Sequence, residues 1–298
     1  MAPYIPLVAA IHDLSGFGRN SLSVVIPILS TMGAQAAALP TAVLSTHTGG
    51  FEGYAFEDLT PFMKKTIRHW TKLDLRFHCI YSGFLGSPAQ AELVLELIDT
   101  QKKNQPLVVV DPVLADDGKL YATMDMHMVT GMKRLIQKAG VITPNLTEAS
   151  LLLDEPYRSD LGEEALKEWL TRLAEMGPET VVITSAPMSR KGKDTSVVAF
   201  NRQSRHFWRV PCVYIPANYP GTGDVFTSVL TGSLLQGDSL PVALDRSVQF
   251  VTQAIRASYG FDYPRRNGVL LERVLASLNG PVLSGSYEWL DEREGTSW

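Results

Sequence analysis

Two glycines flank a threonine and are followed at once by an aspartate in Pro220-Gly221-Thr222-Gly223-Asp224, which heads the apolar run Val225-Phe226-Thr227-Ser228-Val229-Leu230. Glycines at alternate positions remove side chains and let backbone N–H groups converge. A helix starting there adds the positive end of its dipole, and the combination suits phosphate oxygens in transfer. A carboxylate at that spot repels a bound anion. Asp224 therefore makes sense as the group that takes a proton from a hydroxyl attacking a phosphoryl centre. The competing reading is an ordinary helix start, with Asp224 favouring the dipole.

Three further carboxylates are candidates for a metal: Asp111 and Asp116 at the two ends of Asp111-Pro112-Val113-Leu114-Ala115-Asp116, and Glu148 three residues after Asn145. Magnesium takes few protein oxygens and keeps most of its waters, so one direct or water-mediated carboxylate can suffice. Taken singly, each is also a turn former or a first-turn helix charge. Other chemistries lack their residues. There is no G-x-x-x-x-G-K-[ST] loop, no G-x-S-x-G elbow and no H-E-x-x-H pair. Gly16-Phe17-Gly18-Arg19-Asn20-Ser21 approximates a dinucleotide turn, but serine replaces its third glycine and no acid follows the second strand. Of the six histidines, His12 and His47 follow predicted strands and are candidates for a substrate contact.

The elements that must position these groups alternate. Strands are predicted at residues 7–11, 34–39, 77–81, 107–110, 141–142 and 180–183, and helices at about 20–32, 88–103, 161–176, 223–236, 241–258 and 267–278. Continuous apolar strands between helices imply a mostly parallel sheet covered on both faces. Residues 195–200 and 205–215 predict an antiparallel pair turning near 201–204. A polar or glycine-bearing segment follows each parallel strand: His12-Asp13, residues 45–50, Ser82-Gly83, residues 111–116, 143–145 and Thr184-Ser185. In an open parallel sheet these exits share the edge where ligands bind. The chain reads as one domain over residues 1–280, followed by a polar, acidic tail over 281–298.

Composition narrows the classes. The 298 residues are 45% hydrophobic and 19% charged with net charge −4, the mean hydropathy is +0.02 and the isoelectric point about 5.9. That is a globular composition with no surface for nucleic acid, since the most basic run, Arg190-Lys191-Gly192-Lys193, is short. Cys79 and Cys212 have no metal-ligand spacing and suit a reducing compartment. The apolar stretch near the N-terminus stops at His12-Asp13, too short for a signal peptide or a membrane span. The expectation is a cytoplasmic protein.

Taken together, Gly221-Thr222-Gly223-Asp224, Asp111-Pro112-Val113-Leu114-Ala115-Asp116 with Gly118-Lys119-Leu120-Tyr121, and Thr143-Pro144-Asn145-x-x-Glu148 resemble the ribokinase-like superfamily. Within it the order of these motifs and Ser45-Thr46-His47-Thr48-Gly49 fit the pyridoxal kinase family best, over about residues 5–280. The resemblance implies an α/β ribokinase-like fold with a small antiparallel β element, and ATP-dependent phosphorylation of the 5′-hydroxyl of pyridoxal, pyridoxine or pyridoxamine. By position, Asp224 matches the catalytic base and Gly221, Thr222 and Gly223 the anion hole. Asp116 and Glu148 match groups that organise Mg2+ and its waters. Asp111, Thr143 and Thr184 match positions around the ATP phosphates and a monovalent cation, K+ or Na+, and Asn145 matches a phosphate-side contact. His12, Asp13, Ser15, His47, Thr48 and Phe84 fall on the substrate side, and the resemblance implies a homodimer. Two departures stand out. Ile11-His12-Asp13 replaces a Q-S-H sequence, and Leu14-Ser15-Gly16-Phe17-Gly18 is closer to the D-P-S-G-G-A-G segment of hydroxymethylpyrimidine kinases, which makes that activity the alternative. Ala115 replaces a glycine. A non-catalytic protein that holds a vitamer or nucleotide is the other alternative.

Overall fold

The structure is a computed structural model that describes residues 5–187, 195–280 and 285–290. The basic run at 190–193 and most of the acidic tail lie outside the described residues. In chain order the first elements are β1 (Leu7–Ser15), α1 (Leu22–Thr31), β2 (Gln35–Leu44), β3 (Phe56–Asp58), α2 (Thr60–Lys72), β4 (Cys79–Ser82) and α3 (Pro88–Thr100). The middle comprises β5 (Leu107–Val110), β6 (Ala115–Asp116), β7 (Lys119–Leu120), α4 (Met126–Ile136), β8 (Val141–Ile142), α5 (Leu146–Leu153) and α6 (Glu163–Glu175). The last part holds β9 (Thr180–Pro187), β10 (Thr195–Asn201), β11 (His206–Pro211), α7 (Thr222–Gln236), α8 (Leu240–Tyr259) and β12 (Glu288–Trp289).

One sheet of ten strands runs in the order β12-β11-β10-β9-β8-β5-β4-β1-β2-β3. Its centre, from β9 to β2, is parallel, and antiparallel strands extend both sides. Alternate side chains of β1 show why its sequence is apolar without a break. Ala9 and Ile11 face the core shared with α2 to α6, and Val8 and Ala10 the core shared with α1, α7 and α8. A third cluster joins the outer sides of α1, α7 and α8 to residues 269–278. This is the α/β, ribokinase-like architecture that the motifs implied, with the antiparallel pair β10–β11 where it was expected and a second small antiparallel sheet, β6–β7.

Two expectations need correction. Residues 267–278 form short 3-10 turns rather than one helix, because Gly268 turns at φ +82° against the Arg19 backbone. β2 does not stop before Pro40. It continues to Leu44, and the missing proline N–H is absorbed by a bulge in which His12 pairs with Pro40 but Leu14 with Val43. The tail contributes β12, which adds a short strand beside β11 and buries Leu290.

Candidate active site

The carboxyl ends of the parallel strands converge with the start of α7. Gly221 opens that helix in the left-handed conformation, φ +83°, and a Cβ there would lie 2.3 Å from the Arg19 carbonyl oxygen. Only glycine fits the turn, on both grounds. Among the described residues no side chain caps α7, so its first N–H groups are available to an anion. Asp224, in the first turn, is 8% exposed. Its Oδ2 accepts from the Ser21 N–H at 2.9 Å, and its Oδ1 faces the His12 Nδ1 at 3.9 Å. Burial raises the Asp224 pKa to about 7, the Ser21 amide opposes that rise, and the Asp13 charge adds to it.

Asp13 is buried at the end of β1, where Ser15 Oγ donates to its Oδ2 at 3.0 Å and Ser21 Oγ donates to its Oδ1. Desolvation raises its pKa, and the two hydroxyls and the nearby His47 hold it back. His12 lies behind Asp13, enclosed by Tyr81 at a ring separation of 4.4 Å and by Gly83, where a Cβ would strike the imidazole at 2.2 Å. Burial pushes its pKa down to about 3, so the ring is neutral. Neither ring nitrogen has a hydrogen-bond partner among the described residues. His47 is buried, and its Nε2 lies 2.6 Å from the Arg266 carbonyl. Thr48 is exposed and, with Gly50, Phe51 and Arg266, lines a cavity of about 460 Å³. Phe84 is half-buried against the core, and its carbonyl accepts from the Thr41 hydroxyl.

On the opposite side, Asp111 Oδ2 accepts from Thr227 Oγ1 at 3.4 Å, and the Thr143 and Thr227 hydroxyls lie 3.0 Å apart. Burial, and then the Asp224 charge, push the Asp111 carboxyl upward. Asn145 and Glu148 form a capping box on α5. Asn145 Oδ1 accepts from the Glu148 N–H at 2.9 Å, and Glu148 Oε2 from the Asn145 N–H at 2.8 Å. Glu148 Oε1 also accepts from the Leu114 N–H at 3.0 Å, and Asn145 Nδ2 donates to the Ala115 carbonyl at 2.7 Å. The box thus clamps β6 as well as α5. Glu148 is 3% exposed, and burial holds its pKa well above the usual range. Asp116 is exposed beside a cleft of about 260 Å³ shared with Asn145, Thr147, Tyr157 and Ser185, and Thr184 bridges to Asn145.

Spacing alone missed two residues. Thr227 lies one helical turn beyond Asp224, a spacing that could have exposed it. Ser21 reaches Asp224 across 203 positions, and no local pattern announces that. No group of three or more histidine, cysteine, aspartate or glutamate side chains is arranged to hold a metal among the described residues.

Comparison with known proteins agrees with this geometry. A family model described as phosphomethylpyrimidine kinase matches residues 26–268. A solved structure from Bacteroides thetaiotaomicron, assigned as a phosphomethylpyrimidine kinase and holding pyridoxal, is 54% identical with a TM-score of 0.93, covering 96% of this chain and 100% of that one. Pyridoxal kinase from Lactobacillus plantarum is 32% identical with a TM-score of 0.83, covering 92% and 97%. The pyridoxine/pyridoxal/pyridoxamine kinase of Bordetella avium is 29% identical, covering 83% and 84%. The chain belongs to the phosphomethylpyrimidine kinase family and is a phosphotransferase of the kind that the pyridoxal kinases represent.

Proposed function

We propose that the protein transfers the γ-phosphoryl group of ATP to the 5′-hydroxyl of a B6 vitamer: pyridoxal, pyridoxine or pyridoxamine. The observation that carries this is Asp224, a buried carboxylate held above the usual range at the mouth of an uncapped, glycine-opened helix. A group that releases its proton only near neutrality is a competent acceptor for the alcohol proton. The amides of Gly221, Thr222 and Gly223 face the charge that develops on the transferred group. Phosphoryl transfer asks the protein chiefly for position and charge. Asp13, Ser15, His47, Thr48 and Phe84 form the vitamer side, with His12 backing Asp13. Asp111, Thr143, Asn145 and Thr184 form the nucleotide side.

Asp116 and Glu148 fit Mg2+ as a partner reached through water and phosphate rather than as a directly chelated ion. Glu148 already spends both oxygens on backbone amides, and Asp116 is exposed beside the cleft. Bound there with ATP, the ion would neutralise phosphate charge. In the same reading a monovalent cation, K+ or Na+, sits near Asp111, Thr143 and Thr184. The reading includes a cytoplasmic homodimer, supported by the family resemblance and, for the compartment, by two free cysteines.

A second reading, phosphorylation of hydroxymethylpyrimidine, is favoured by the Asp13-Leu14-Ser15-Gly16 segment and by the description of the matching family. ADP release measured over the three vitamers and hydroxymethylpyrimidine separates the two. Turnover with the pyrimidine alone would replace the first reading by the second, and turnover with none would leave only a binding protein.

A further inference from the structure

Ser21 hydrogen-bonds two of the buried carboxylates of the site, Asp13 and Asp224. Its backbone N–H donates to Asp224, and its hydroxyl donates to Asp13. Its carbonyl accepts from the Val24 and Val25 N–H groups, each at 2.9 Å, and so starts α1. All three of its polar groups are committed, and the residue is 2% exposed. It achieves this at φ +52°, ψ −132°, a conformation that a non-glycine residue seldom adopts. Strain of this kind persists only where the surroundings over-determine it. Here the surroundings are the glycine turn at 16–18, whose Gly18 packs on the His47 ring, and Arg19, whose carbonyl lies under Gly221.

We propose that Ser21 is a positioning residue that couples the vitamer-reading carboxylate to the base. Its hydroxyl fixes Asp13 for the ring, and its strained backbone keeps an amide aimed at Asp224, so the two ends of the acceptor are registered through one residue. This rests on the functional reading above. Two consequences can be separated. An alanine at 21 keeps the strained backbone and the amide and removes only the hydroxyl. A glycine removes the hydroxyl and also frees the backbone, since the left-handed half of the map is open to it.

The test is steady-state ADP release by the full chain with pyridoxal and ATP. Ser21→Ala is expected to raise the KM for pyridoxal by at least about tenfold, the low end for one lost hydrogen bond to a charged group, with kcat and the KM for ATP unchanged. Ser21→Gly is expected to show the same KM rise and a kcat lower by about tenfold, the cost of a loosened base. Adding Ser21→Ala to Asp13→Asn should raise KM no further than Asp13→Asn alone, because the hydroxyl acts through that carboxylate. An unchanged pyridoxal KM in Ser21→Ala, or effects that multiply in the double variant, would overturn the coupling. Equal kcat in the alanine and glycine variants would overturn the role of the backbone. If the alanine variant fails to fold, the glycine variant, at ease at this φ, carries the comparison with Asp13→Asn. A wild-type protein that releases no ADP with any vitamer defeats the functional reading instead, a result distinct from active wild type with unaffected variants.

Discussion

In the proposed reaction Asp224 is the base, and its environment sets the pH at which it would work. With its pKa raised to about 7 by burial, it holds a proton below that value and cannot accept one from an alcohol. kcat/KM should therefore fall about tenfold per unit as pH drops below neutrality. A flat profile from pH 5 to 8 would remove Asp224 as the base. Asp224→Ala should lower kcat by at least ~10²-fold while ATP binding, followed by calorimetry, stays nearly intact. The same shift has an opposite sign for stability. The folded chain keeps a proton that the unfolded chain gives up at 3.8, so ionising Asp224 opposes folding as pH rises from there through about 7. Asp224→Asn should thus stabilise the protein at pH 8 by on the order of 1–2 kcal/mol and leave it unchanged near pH 4. Thermal melts at both pH values check this. Gly221 and Asp224 were legible because the turn, the helix and the acid are contiguous. Ser21 was not, because Asp224 meets it only once α7 packs against α1, whose start Ser21 forms.

At the scale of elements, the parallel strands could be read because burial on both faces makes each an unbroken apolar run, as in Leu107–Val110. The edge elements could not. β3 is exposed along its length, and β6 and β7 are two residues each, too short for any period to show. α2 buries only Met63 and Ile67 of its thirteen residues, so its pattern is mostly solvent-facing. The capping box illustrates how local signal and long-range role combine: Asn145-x-x-Glu148 is visible in sequence as a helix start, while its grip on Leu114 and Ala115 is not. Asn145→Ala should lower stability by about 1–2 kcal/mol through the lost cap, read from the urea midpoint. It should also raise the KM for ATP, because the β6–β7 hairpin loses its anchor at Ala115. The hairpin itself, tied by Gly118 N–H to the Thr147 hydroxyl at 2.9 Å, lines through Asp116 and Asp117 the cleft proposed for the nucleotide. Trypsin cleavage at Lys119 should slow when ATP is added, and an unchanged rate would show that the hairpin does not close.

Across the whole molecule the electrostatics pose a problem for an anionic nucleotide. The chain carries net charge −4, and Asp111, Asp224 and Glu148 are buried carboxylates whose pKa values are all raised, in each case first by desolvation. The uncapped start of α7 offers only partial positive charge. Free ATP entering this site would add phosphate repulsion to carboxylates already disfavoured as anions, whereas a divalent cation arriving with the phosphates reverses the sign of that interaction. Binding to the folded state at a hundred times Kd stabilises it by about 2.7 kcal/mol, and at about 2–4 °C per kcal/mol this is a rise in Tm of roughly 5–10 °C. Mg2+ with ATP should produce that rise, and ATP with a chelator a distinctly smaller one. Equal shifts under both conditions would mean that the buried acids do not oppose the phosphates, and that the charge complement of the site lies elsewhere in the fold.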